Sequence, residues 1–265
     1  MNLYKYFIIG MLILVVMPVV GCSNSSLDLE AELVTLQKTC AVSEEVRSYC
    51  MEGSFTYIEE GKTSESTLEM EFVAPDRYHS QGYMDGQWEE SIIIGDKVYS
   101  RDSDNDKWQE VEVSPNVLKA RKLSLETSIP SAEKTLQLLD SLTDLEKLPD
   151  ELVDGVDCLH CRGRVDMDRE VEKRKAEMRT ALNPSDPGYQ EKLESQELML
   201  EWQRKWKIEY ELWISREDCL VRQQKYDMQI PAMESPSGEI MQGEVKSAML
   251  MHHYDINEPL NIQPP

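Results

Sequence analysis

The chain has 265 residues, with 28 Lys and Arg against 50 Asp and Glu, for a formal net charge of −22. So acidic a chain repels nucleic-acid phosphates, which excludes DNA and RNA as partners. With 40% apolar and 29% charged residues it is too apolar for wholesale disorder, and it has neither collagen periodicity nor low complexity.

Residues 1–22 read MNLYKYFIIGMLILVVMPVVGC. Lys5 supplies a positive start, and Phe7 to Val20 is an uncharged, mostly apolar run. That run is shorter than the roughly 20 residues of a spanning helix, and Pro18 interrupts it. It fits the apolar region of a secretory signal. Val19-Val20-Gly21-Cys22 closes it and resembles the bacterial lipobox. The resemblance implies that residues 1–21 are a removable signal peptide and that Cys22 is the lipid attachment site. One acyl chain, at roughly 0.8 kcal/mol per buried CH₂, anchors only marginally, whereas two or three hold a protein on its membrane. Residues 22–28 are then expected as a lipidated tether. The acidic body should stand off anionic head groups.

Five cysteines remain, an odd number, so at least one lies outside any intrachain bridge. Cys158 and Cys161 imitate a redox or zinc CxxC, but the flanks VDGVDCLHCRGRVD read as a strand. Positions i and i+3 of a strand face opposite sides, so these thiols should neither pair with each other nor share a metal. The expected framework is Cys40 to Cys50, and Cys219 to either Cys158 or Cys161. The first bridge would close a loop of about ten residues, worth up to roughly 2–3 kcal/mol.

Leu29, Leu33, Leu36 and Val42 space an amphipathic helix over 27–46. The period then changes to two. Tyr49, Met51, Phe55 and Tyr57 share one face, and Leu68, Met70 and Phe72 alternate with Glu69 and Glu71. Glu60-Gly61, Pro75-Asp76, Asp85-Gly86 and Gly95-Asp96 are turn signals, so 48–113 reads as a six-stranded antiparallel meander. Helical character returns from Ser114. Ser131 opens a helix with Leu136, Leu138, Leu139 and Leu142 on its apolar side, and Leu145, Leu148 and Leu152 suggest a shorter helix after it. A strand follows over 156–165. Residues 166–206 read as a charged helical hairpin broken at Asn183–Gly188, with Trp202 and Trp206 as a candidate partner-contact edge. Strands at 208–214, 219–228 and 245–256 complete about ten.

No nucleophile elbow, phosphate loop, dinucleotide fingerprint or zinc-protease helix is present. Asp102, Asp104 and Asp106 begin like a calcium loop, but Lys107 and Val113 stand where Gly and Glu are required, so a hairpin turn is expected. His252 and His253 are neighbours in a strand and should face opposite ways. No catalytic residue, metal or cofactor is nominated.

The order of the lipobox, a helix, a meander with Ala74 to Arg77 (APDR), Glu90 to Tyr99 (ESIIIGDKVY), Trp108, Asp154 to His160, and Glu211 to Arg216 (ELWISR) carries a family resemblance. It resembles the LolA/LolB-like and LppX/LprG-type bacterial lipoproteins. The resemblance covers most of the chain after Cys22 apart from the 166–206 insertion. It implies an α+β fold over 29–265: an open antiparallel half-barrel sheet of about ten strands, covering helices and an inserted charged hairpin. It also implies a non-catalytic, lipid-anchored protein of the cell envelope that binds acyl chains of a lipid or lipoprotein in a concave apolar cavity. The cavity candidates it supplies are Tyr57, Met70, Phe72, Tyr210, Leu212 and Ile214 on the dry face, with Leu138 and Leu142 as lid. A chain anchored in this way acts as an acceptor or local chaperone rather than a shuttle. The second reading is a surface interaction or sensor protein with a filled core, working on a protein partner through the 166–206 arm.

Overall fold

The structure is a computed structural model that describes residues 25–181, 188–234 and 240–265. The expected signal segment, Cys22 and most of the Asn183–Gly188 break lie outside the described residues. Helix α1 (Ser25–Cys40) leads into a meander of β1 (Ser48–Glu59), β2 (Lys62–Val73), β3 (Arg77–Met84), β4 (Gln87–Ile94), β5 (Lys97–Asp102) and β6 (Gln109–Val111). Then come α2 (Pro115–Ser128), α3 (Ala132–Ser141), β7 (Leu142–Lys147), β8 (Glu151–Val153) and β9 (Val156–Val165). The hairpin is α4 (Met167–Ala181) and α5 (Tyr189–Gln203). Strands β10 (Lys207–Ser215), β11 (Val221–Ile230), β12 (Met233–Glu234), β13 (Ile240–Gln242) and β14 (Val245–Tyr254) close the chain.

Twelve strands form one open antiparallel sheet, ordered β6-β5-β4-β3-β2-β1-β14-β11-β10-β9-β7, with β8 also on β9. The fold is α+β, an open sheet with helices laid on one face. The meander is local: Asp85 and Gly86 both take positive φ (50° and 85°), the paired left-handed geometry that a two-residue hairpin needs. The return of β14 onto β1 joins the two halves through ten paired positions from Cys50 with Tyr254 to Glu59 with Val245.

Two helices begin where their caps dictate. The Ser114 hydroxyl accepts from the Val117 amide, with Pro115 at the first helical position, and Ser131 does the same for the Lys134 amide. Lys134 Nζ then donates to the carbonyls of Glu126, Thr127 and Ile129 at 2.7, 3.2 and 2.8 Å. One side chain therefore closes the end of α2 and fixes the start of α3.

The core has two lobes on the concave face. Under α2, Tyr49, Phe72, Tyr78, Ile93 and Val98 pack with Leu118. Under α1 and α3, Leu29, Leu36 and Leu139 pack on Leu159, Leu212 and Ile214. Each large side chain so buried contributes roughly 1.5–3 kcal/mol.

Several expectations are corrected. The sheet has twelve strands rather than about ten, because 142–153 is not helical. Leu145, Leu148 and Leu152 mimic helical spacing, but pairing with β9 takes Leu142 to Lys147 and Glu151 to Val153 into strands. Leu142 is thus a strand residue, not a lid residue. Helix α1 starts at Ser25, inside the expected tether, and ends at Cys40 rather than Val46. The Cys40–Cys50 bridge does not form: Cys40 bonds Cys219, with Cα atoms 5.2 Å apart. The end of α1 lies over the turn between β10 and β11, while Cys50 lies inside β1. Cys50, Cys158 and Cys161 are free and buried.

The hairpin is held by its own charges. Arg204 meets Asp168 at 2.6 Å as well as Glu172 and Glu201, Lys175 bonds Glu201, and Arg179 reaches Glu197 at 2.8 Å. Trp202 and Trp206 do not form an exposed edge. Trp202 is 9% exposed, donates from Nε1 to the Pro231 carbonyl at 3.0 Å, and packs edge-on to Trp206 at 5.2 Å. Both sit against Ile230, Met233 and Val245. The last turn of α5 is a foot planted on the sheet, because two indoles bury more area there than water would leave them.

Candidate functional site

Register places side chains of the meander in rows across the concave face. The first row, Tyr49, Phe72, Tyr78, Ile93 and Val98, is large and buried under Leu118. The next is Met51, Met70, Ser80, Ser91 and Ser100, and the third is Gly53, Leu68, Gly82, Glu89 and Asp102. The fourth runs Phe55, Ser66, Met84 and Gln87. Side-chain volume therefore drops abruptly at β3, β4 and β5, where Ser80, Gly82 and Ser91 replace bulk. A Cβ on Gly82 would meet only the Thr67 carbonyl, at 3.7 Å.

Helix α2 cannot sink into that gap, because Leu118 already rests on the first row. A hollow of about 740 Å³ results, roofed by Arg121, Ser124 and Leu125 and floored by Leu68, Ser80, Gly82 and Ser91. Ligand pockets typically hold about 300–1,000 Å³. It opens beside the β3–β4 hairpin, where Tyr83 and Met84 are exposed. Its walls are apolar at Phe55, Leu68, Ile93 and Leu125, and polar at Glu89, Asp102 and Arg121.

The eight cavity candidates lie elsewhere. Met70 and Phe72 are 2% and 3% exposed inside the first lobe. Tyr210, Leu212, Ile214, Leu138 and Leu142 gather in the second lobe under α1 and α3. Tyr57 points from the same face as Phe55 but is exposed near the far end of β1. None of the eight lines the hollow. The helix that roofs it, α2, has its sequence signal in Ser114-Pro115 followed by Leu118 and Leu125.

The convex face carries several internally paired polar groups. Glu90, 7% exposed, bonds His79 Nε2 at 2.7 Å and accepts from Arg101 Nε at 2.6 Å, and the Arg101 guanidinium lies 4.7 Å over the Trp108 ring. His160 stacks on Trp213 at 4.3 Å and contacts Glu211 at 2.9 Å. His252 contacts Asp154 at 2.6 Å, whereas His253 turns inward against Tyr49. Cys161 packs in the second lobe with Leu159, and Cys158 lies on the other face of β9. Burial pushes the Cys158 thiol up to about 11 and Cys161 to about 12. Neither is a ready nucleophile. Asp102 Oδ1 accepts from the amides of Asp104 and Asn105 at 2.9 and 2.8 Å, so the aspartate run builds a turn. No group of three His, Cys, Asp or Glu among the described residues has metal-binding geometry. No helix among them is long and apolar enough to cross a membrane.

No family model matches the chain, and no curated protein matches it in sequence. Solved structures do. The lipoprotein LppX of Mycobacterium tuberculosis aligns at 14% identity over 90% of this chain and 100% of its own, with a TM-score of 0.43. This chain is similar in fold to LppX. LprF from Mycobacterium bovis aligns at 9% identity over 89% and 97% of the two chains, TM-score 0.44. A LolA-superfamily protein from Nitrosomonas europaea aligns at 10% identity over 88% and 94%, TM-score 0.22.

Proposed function

We propose that this protein is a membrane-tethered, non-catalytic binder of acyl chains, taking the tails of a lipid or lipoprotein into the hollow under α2. In this reading residues 1–21 are a signal peptide, Cys22 carries the anchor, and the folded domain acts as an acceptor or chaperone beside its membrane. The observation that carries it is the hollow of about 740 Å³ with Phe55, Leu68, Ile93 and Leu125 on its walls. Bare apolar walls of this kind lose solvent-exposed area when a hydrocarbon chain enters, at about 25 cal/mol per Å². The alternative of a partner arm would have to act through residues other than Trp202 and Trp206, which pack on the sheet, such as the exposed Leu198 and Met199 of α5.

The test is mass spectrometry of the chain purified from membranes in mild detergent, with gentle and denaturing spectra compared. The covalent anchor persists in both, whereas a bound lipid appears only in the gentle one. Replacing Ser80→Leu and Ser91→Leu together fills the floor and should abolish the bound mass, with far-UV circular dichroism checking the fold. A wild-type chain that stays bare after incubation with phospholipid, or a filled variant that keeps its lipid, would overturn the reading.

A further inference from the structure

The mouth of the hollow carries both signs of charge in an unusual arrangement. Glu89 on β4 and Asp102 on β5 stand directly opposite each other in the antiparallel register. Like charges so placed are destabilising. Neither carboxylate has an ion-pair partner among the described residues, and nor does Asp104, which lines the same mouth. Across from them, on α2, Arg121 is an exposed cation that also has no ion pair among the described residues.

Resting on the acyl-binding reading, we infer that this mouth selects a zwitterionic headgroup, with its ammonium between Glu89 and Asp102 and its phosphate on Arg121. An ammonium there relieves the repulsion across β4 and β5. A phosphate alone would meet one cation and three carboxylates, so an anionic headgroup with no amine is disfavoured. The hollow holds the tails and the mouth reads the head.

The experiment measures affinity of the full processed chain for three fluorescent-tailed probes with identical acyl chains: phosphatidylethanolamine, phosphatidylglycerol and diacylglycerol. Two or three exposed charge contacts of this kind give ethanolamine an advantage of about tenfold over glycerol. Glu89→Gln with Asp102→Asn should bring that ratio near one and leave diacylglycerol affinity unchanged. Arg121→Gln should weaken both phospholipids severalfold but not diacylglycerol. Equal affinities in the wild type, a glycerol preference, or a ratio untouched by the double variant would overturn the inference. So would a preference that requires calcium and vanishes with chelator, since a metal would then stand where the ammonium is placed. Failure of diacylglycerol to bind would instead overturn the acyl-binding reading itself.

Discussion

His253 makes a pH dependence that can be calculated. Its ring is 4% exposed, lies 5.9 Å from the Tyr49 ring, and neither nitrogen makes a well-formed hydrogen bond. Burial, reinforced by His252 and Arg222, lowers its pKa from 6.5 to about 4, although the Ser128 and Val221 main chains act against the shift. Each tenfold change in proton affinity is worth about 1.4 kcal/mol, so the native state forgoes about 3 kcal/mol of proton binding that the unfolded chain gains. The sign follows from the lowered value. Above pH 6.5 the ring is neutral in both states and the penalty is absent. As pH falls from 6.5 toward 4 the unfolded chain takes the proton first, and stability declines over that window. Below about 4 both states are protonated and the loss is complete. Carboxylates titrate there too, so the assay compares His253→Phe, which keeps a ring in contact with Tyr49, with the wild type. Urea unfolding at pH 7, 5.5 and 4 should show the variant gaining about 2–3 kcal/mol relative to the wild type across that range, with unchanged m-values. Parallel pH profiles for the two proteins would refute the reasoning.

Two further outcomes follow from the packing. The Cys40–Cys219 bridge spans 179 residues, and the chain-entropy model gives a loop of that size about 5 kcal/mol. Cys40→Ser with Cys219→Ser should therefore lower the urea midpoint substantially while far-UV circular dichroism below the transition stays native. Trp202→Ala removes the Nε1 bond to Pro231 and the contact with Trp206, at roughly 3–5 kcal/mol. Amide exchange should speed first in α5 and at the ends of β11 and β14, and unchanged exchange there would contradict its role as a foot.

What the sequence made legible was local. The meander over 48–113 emerges because alternation and Gly-containing turns lie within a few residues of each other, and α4 and α5 emerge because a thin apolar stripe (Val171 and Met178; Tyr189, Leu193 and Leu200) recurs at helical spacing in charged sequence. What it hid was settled by distant partners. Leu142 to Lys147 and Glu151 to Val153 become strands only through β9. Cys40 finds Cys219 rather than Cys50 because α1 is pinned by Leu29 and Leu36 on β9 and β10. The hollow depends on register: Ser80, Gly82 and Ser91 read as ordinary strand residues until the pairing shows that they lie together beneath α2. The sequence did hold a signal, since Tyr78, Ser80 and Gly82 shrink steadily along one face of β3. Without the register nothing said that Ser91 and Ser100 extend the same gap.

The same register separates two uses of negative charge. On the convex face several carboxylates are matched: Glu90 with His79 and Arg101, Glu211 with His160, and at the strand edges Glu146 with Arg162 and Asp144 with Arg164, while Glu69 and Glu209 have no ion pair among the described residues. Those pairs neutralise a solvated surface and contribute little each. Glu89 and Asp102 alternate with Glu90 and Arg101 along the same two strands, one residue away and on the opposite face. The arginine that could have paired with them is committed to Glu90 and to the Trp108 ring. A one-residue step along β4 and β5 thus separates the paired Glu90 and Arg101 from the unpaired Glu89 and Asp102, and the unpaired charges face the gap left by Ser80, Gly82 and Ser91. Charge left unpaired beside unfilled space is the arrangement expected when the missing partner is a ligand rather than another part of the chain.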